Sequence, residues 1–182
     1  MKKILVTGAG GSAASNFIHS LRIAPEKFYI VGCDIQPHHL ELSNVNKRYI
    51  VPKVTDPSYL IVINQIINKE KIDIIHPQPD PEVFFLSKNR DKLNATFYLP
   101  PHKTINICQD KMRLVEILSK AQIPTGESYQ INSEADLKTA MKKLLKNHKK
   151  VWVRAIHGAG SKASLPVVAL NKRRTGLSIG AN

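Results

Sequence analysis

The first hundred residues alternate short apolar runs with helical stripes at a regular interval, and this restricts the fold more than any other feature of the chain. KKILVT (2–7) is an apolar run that stops at glycines, as a buried parallel strand does. Ser12 to Ile23 carries Ala13, Ala14, Phe17, Ile18 and Leu21 on one helical face, and Pro25 closes it. FYIVGCD (28–34) reads as a second strand and RYIVP (48–52) as a third. Asp56-Pro57 opens a helix with Leu60, Ile63, Ile66 and Ile67 on one face and proline in its first turn. IDIIHP (72–77) is a fourth strand, Glu82 to Leu93 a helix and TFYLP (96–100) a further strand. Strand and helix in turn at this spacing predict an α/β fold, a Rossmann-like parallel sheet with right-handed crossovers.

Pro100-Pro101 interrupts the pattern and marks a boundary, giving expected domains at 1–101 and 102–170 with a tail at 171–182. Asp110 to Ala121 is amphipathic through Met112, Val115, Ile117 and Leu118. IPTGESYQI (123–131) predicts a turn and then a strand. Ser133 caps a helix running to about Asn147, with Asp136 three residues on as a weak capping box. VWVRAI (151–156) and LPVV (165–168) are strands joined by a loop containing Gly158, Gly160, Ser161 and Lys162. The second part therefore reads as a small α+β lobe.

Two glycine stretches compete for a nucleotide. VTGAGGSAAS follows a strand and opens a helix, the context in which backbone N–H groups meet an anion. Gly8, Gly11 and Ala14 fit a loosened dinucleotide fingerprint, and Asp34 stands where a ribose-binding acid would. This supports a stand-alone NAD(P)-binding domain of an oxidoreductase or epimerase. Against it, the Tyr49-to-Lys53 pair contains Pro52 and cannot present both side chains from the middle of a helix. The alternative for the glycines is close packing of helix on strand.

Three ordered pieces, ILVTGAGGSAASNF (4–17), CQDKMRLVEILSKAQIPTGES (108–128) and VWVRAIHGAGSKASLPV (151–167), resemble the N-terminal portion of the ATP-grasp superfamily. The likeness in style is to the carbamoyl-phosphate synthase large chain and related carboxylate–amine ligases. It implies a pre-ATP-grasp domain followed by the start of an ATP-grasp lobe, which would be incomplete in this chain. In such a family Lys111 and Arg154 match the two basic contacts to ATP, and Gly158, Gly160 and Ser161 a flexible lid. A guanidinium can make paired bonds to phosphate oxygens. Many members carry Lys where this chain has Arg154.

The resemblance gives the first glycine stretch a substrate role, so Gly8, Gly10, Gly11 and Asp34 are candidate contacts to a small-molecule carboxylate. Gln78, Asp80 and Glu82 follow the fourth strand at its carboxyl end, where ligands enter open parallel sheets. They are candidates for the same pocket, Asp80 and Glu82 serving equally well as a helix start. Mg²⁺ is implied beside ATP. Its ligands are expected outside this chain, in a C-terminal half or a second chain completing the grasp, so the chain alone is expected to be inactive.

The net charge is +13. Residues 1–99 hold 12 Lys and Arg against 9 Asp and Glu, and residues 100–182 hold 15 against 5. A partner lobe bearing an acidic metal site would balance the second part. KKLLKNHKK (142–150) reads as the polar face of a helix, and no aromatic platform accompanies it, so nucleic acid is not expected as a partner. No apolar run approaches the roughly 20 residues that span a bilayer. The apolar stretch after Met1 is too short for a signal peptide, which points to the cytoplasm. Cys33 and Cys108 make no metal spacing, and no metal site is expected. His157 reads as a loop residue, as do His38 and His39.

Overall fold

A computed structural model describes residues 1–158 and 163–168. These divide into two compact units, Met1–Asn106 and the residues from Ile107 onward. No helix among the described residues is long and apolar enough to cross a membrane.

The first unit is a three-layer α/β domain. Five parallel strands stand in the order β3-β2-β1-β4-β5: β1 Lys2–Thr7, β2 Phe28–Asp34, β3 Lys47–Ile50, β4 Ile74–His76 and β5 Thr96–Phe97. Alternation along β1 and β2 builds the two faces. Leu5, Val31, Cys33 and Ile75 point toward helices α3 (Tyr59–Glu70) and α4 (Asp80–Lys88), where Tyr59, Ile63, Ile67 and Leu86 are fully or almost fully buried. Ile4, Val6 and Ile30 point the other way, against Ala14 and Ile18 of α1 (Ser12–Ile23) and Leu40 of α2 (Pro37–Glu41). Each such large side chain removed from water contributes about 1.5–3 kcal/mol before entropy is counted.

Several boundaries differ from the sequence expectation, each for a local reason. Strand β3 ends at Ile50 rather than 52, because Pro52 has no N–H to extend the ladder. Helix α3 begins at Tyr59, so Pro57 is not in its first turn. The Asp56 carboxylate accepts from the Ser58 amide (2.8 Å) and hydroxyl (2.7 Å), and this closed turn precedes the helix. The expected 82–93 helix runs instead from Asp80 to Lys88. Asn89 then donates its amide side chain to the Phe85 carbonyl, and a separate 3-10 turn covers Arg90–Lys92. The strand expected over 96–100 stops at Phe97, since the Arg90 guanidinium takes the carbonyls of Leu99 and Pro100. His38 and His39 lie in α2 rather than in a loop, with Pro37 as the helix's first residue.

The second unit holds α6 (Lys111–Lys120), α7 (Glu134–Asn147) and an antiparallel pair, β6 Lys150–Arg154 with β7 Ser164–Val168. Before them α5 spans His102–Gln109, a helix the sequence did not announce. Asp110 caps α6 by accepting from the Arg113 amide at 3.0 Å. Ser133 caps α7 through the Asp136 amide, but the returning Asp136 carboxylate takes the Asn132 N–H rather than that of Ser133. The strand expected within 123–131 does not form: residues 124–131 join no ladder, and β6 and β7 pair with each other. The expectations at Gly160, Ser161, Lys162 and 171–182 lie outside the described residues.

Candidate functional site

In the first unit the sheet order reverses between β1 and β4, and the candidate residues gather at the carboxyl edge there. Gly8, Gly10 and Gly11 form the turn from β1 into α1, Asp34 ends β2, and Gln78, Asp80 and Glu82 follow β4. The turn is closed by contacts of its own. Gly8 has φ +58°, and a Cβ there would come within 2.5 Å of Pro79 Cγ. A Cβ on Gly10 would meet the His39 backbone carbonyl at 2.3 Å. Both glycines therefore admit a neighbouring segment where a side chain would block it. Gly11 donates its N–H to the Gly8 carbonyl at 2.9 Å.

Asp34 is buried, and each oxygen accepts a backbone N–H: one from the Gly10 amide at 3.1 Å and the other from the Gln36 amide at 3.0 Å. It holds the glycine turn to the start of α2. Glu82 is also buried, accepting from the Tyr59 hydroxyl at 2.9 Å and from Thr7. Thr7 in turn accepts from the Gln78 amide at 3.3 Å. Burial raises the Glu82 carboxyl above its ordinary pKa, with Asp34 adding to the rise and the two hydroxyls opposing it. Burial likewise raises the Cys33 thiol, reinforced by Glu82 and Asp34. Of the seven candidates here, Gln78 is half-buried and Asp80 is exposed, with interaction partners of its own.

His76 at the end of β4 was missed in the sequence. Its ring stacks on Phe17 of α1 with centroids 3.7 Å apart, and desolvation lowers its pKa. A lone histidine in an apolar strand gave no signal, because its partner is 59 positions away.

In the second unit, Lys111 meets the backbone just beyond the end of β6. Lys111, the first residue of α6, reaches the end of β6: its Nζ donates to the carbonyls of Ile156 (3.1 Å) and Gly158 (2.9 Å). Its backbone N–H also meets Ile156 O, at 3.3 Å. Arg154 is the last residue of β6 and is exposed; Gly158, four residues on, has φ +107°. Lys150, Trp152 and Arg154 share one face of β6 by the two-residue repeat. Trp152 is 60% exposed, with the Lys150 ammonium 5.1 Å from its ring centroid. An exposed indole between two cations offers a stacking surface and charge together, a pairing the sequence reading passed over in favour of Arg154 alone. Among the described residues no group of three His, Cys, Asp or Glu is placed to hold a metal ion.

The chain thus joins a parallel α/β domain, its glycine turn closed by internal contacts, to a basic α+β unit. Residues 4–97 match the family described as PylC-like, N-terminal domain, and the chain belongs to that family. A search of curated proteins found no match. Among solved structures, the biotin carboxylase domain of Hydrogenobacter thermophilus 2-oxoglutarate carboxylase, in complex with MgADP, ADP and bicarbonate, is similar with TM-score 0.61 and 19% identity. That similarity covers 92% of this chain and 37% of the other. Carboxyaminoimidazole ribonucleotide synthase from Aspergillus clavatus, complexed with ATP, gives 0.59 and 14% over 92% and 41%. Glycinamide-RNase-transformylase T from Mycobacterium tuberculosis gives 0.55 and 12% over 94% and 48%. At these identities the likeness establishes the fold. The chain spans less than half the length of each of these structures.

Proposed function

We propose that this chain provides the substrate-side domain and the first ATP-binding lobe of an ATP-grasp ligase, one that joins a carboxylate to an amine or ammonia through an acyl phosphate. The observation that carries the reading is the meeting of Lys111 with the exit of β6. A cation from one end of the second unit lies against the loop that follows Arg154. ATP bound there would supply a phosphoryl group to the carboxylate. Arg154 would hold phosphate oxygens through paired hydrogen bonds, Lys111 would add a compact charge, and Trp152 would offer its exposed ring to the base. Gly158 leaves the backbone open to close approach. Mg²⁺ would be held by carboxylates other than those of the described residues, from a further lobe or a second chain.

In the first unit the small-molecule carboxylate would lie at the carboxyl edge near Gln78 and Asp80. Glu82, Asp34 and the glycines would hold the walls rather than touch it. The same geometry weakens the nicotinamide reading, because Asp34 is buried and tied to two backbone amides and the His39 backbone covers Gly10.

Calorimetry of the chain with Mg-ATP and, separately, with NADH tests the proposal. Mg-ATP binding that weakens about tenfold or more on Arg154→Met supports it, the size expected for losing a charge-assisted pair. Tight NADH binding that disappears on Asp34→Ala would replace it with a dinucleotide-binding function.

A further inference from the structure

We infer that Lys111 is a positioning residue that fixes the glycine turn at the exit of β6 before any nucleotide binds. Five contacts converge there. The Lys111 ammonium donates to Ile156 O and Gly158 O, and its backbone amide donates to Ile156 O. His157 Nδ1 lies 3.2 Å from Gln109 O, its Nε2 3.9 Å from the Asp110 carboxylate that caps α6. On the far side of the loop, Ala155 donates to Ala163 O at 2.8 Å and closes the hairpin base. The strand exit is thus tied to the start of α6 over residues 155–158.

The chemistry of the ammonium explains the choice of residue. Lysine at the first position of a helix sits at the positive end of the macrodipole, an unfavourable place for a cation. Two carbonyl oxygens offset that cost here. An ammonium has three N–H donors, and two are used. The third can take a phosphate oxygen while the carbonyls stay bound, so the turn would be preorganised for the ligand rather than rearranged by it. This second part rests on the proposed function; the first does not.

The test separates them. In the nucleotide-free chain, NMR relaxation of the Gly158 amide is compared with Lys111→Met, which keeps the length of the side chain and removes the donors. The order parameter is expected to fall from near 0.85, typical of rigid backbone, to below about 0.6. Amides of α6 such as Leu114 should be unchanged. A Gly158 amide as ordered in the variant as in the parent overturns the inference. If α6 itself loosens, the unmodified protein decides: a slowly exchanging Lys111 ammonium signal coupled to the Ile156 and Gly158 carbonyl carbons supports the clamp, and a freely exchanging one overturns it.

For the ligand arm, Mg-ATP should shift the ammonium signal while Gly158 stays ordered, and Lys111→Met should weaken binding about 10- to 100-fold. Release of Gly158 by Mg-ATP overturns the third-donor bridge. Arg154→Met should weaken binding and leave Gly158 order intact in the empty protein. If neither variant alters Mg-ATP binding, the nucleotide reading fails, and the clamp is judged on the nucleotide-free data alone.

Discussion

Glu82 is a buried carboxylate answered by two hydroxyls, from Tyr59 and Thr7, rather than by a cation. Its folded pKa is raised, so the folded protein holds this proton more tightly than the unfolded chain. The stability it contributes is complete below the ordinary glutamate range and is lost as pH rises through the folded value. Glu82→Gln should flatten that part of the pH–stability curve and change stability by no more than about 1 kcal/mol at neutral pH, as a neutral acceptor still serves Tyr59. Glu82→Ala strands both hydroxyls and should cost about 2–4 kcal/mol. A curve with the same slope for the parent and Gln proteins would sink this account. Gly10 obeys a steric rule instead: with His39 backbone at 2.3 Å from a would-be Cβ, Gly10→Ala should cost at least about 1–3 kcal/mol by forcing α2 away. Thermal melts that match the parent's would contradict it. Asp34 was readable in the sequence as an acid at a strand end, and Glu82 as an acid after the fourth strand that serves a pocket or a helix start equally well. What was not readable is that Tyr59, Thr7 and two backbone amides already occupy them, since these partners are distant along the chain or belong to no side chain.

Helix ends were the least legible elements, and α3 and α6 explain why. Each closes with a residue in the left-handed region that is not glycine: Lys71 at φ 55° and Gln122 at φ 59°. The hydrogen bonds are those of a glycine-type stop, with Ile72 N to Ile67 O after α3 and Ile123 N to Leu118 O after α6. Without glycine the sequence carries no mark of the turn, although the apolar periodicity located both helices well. Left-handed conformation costs a side chain about 1–2 kcal/mol relative to glycine. Lys71→Gly should therefore stabilise the first unit by about 1 kcal/mol or somewhat less, the greater freedom of glycine in the unfolded chain taking part of the gain. Chemical denaturation of the two proteins measures it, and a loss of stability would mean that Lys71 contributes something beyond its backbone. The parallel sheet was legible for the opposite reason. Apolar runs such as ILV and YIV are buried on both faces, so hydropathy alone finds them, and the turns between them are short.

The two units differ in how much interior each has made. In the first, both sheet faces are covered and the three central strands, β2, β1 and β4, carry fully buried side chains. In the second, Ala140 and Val151 are the buried apolar side chains among the described residues. A groove of about 800 Å³ remains there between helices and hairpin, lined by Met112, Val115, Leu137, Met141, Leu144 and Val153. The same part of the chain carries the basic surplus, and unbalanced like charges oppose compaction. Amide exchange should therefore report two different opening free energies. Protection in β1 and β2 should approach that of global unfolding, while α7 and β6 open far more readily. A multivalent anion acts on this difference. If Lys111 and Arg154 hold phosphates, Mg-ATP should raise protection in α6 and β6 by RT ln(1 + [L]/Kd), about 2.7 kcal/mol at a hundredfold excess over Kd, and leave β1 and β2 unmoved. Inorganic sulfate at equal ionic strength controls for screening, which acts without base or site geometry. Equal gains from sulfate and Mg-ATP would reduce the second unit to a generic basic surface. A gain confined to β1 and α1 would return the nucleotide to the first glycine turn.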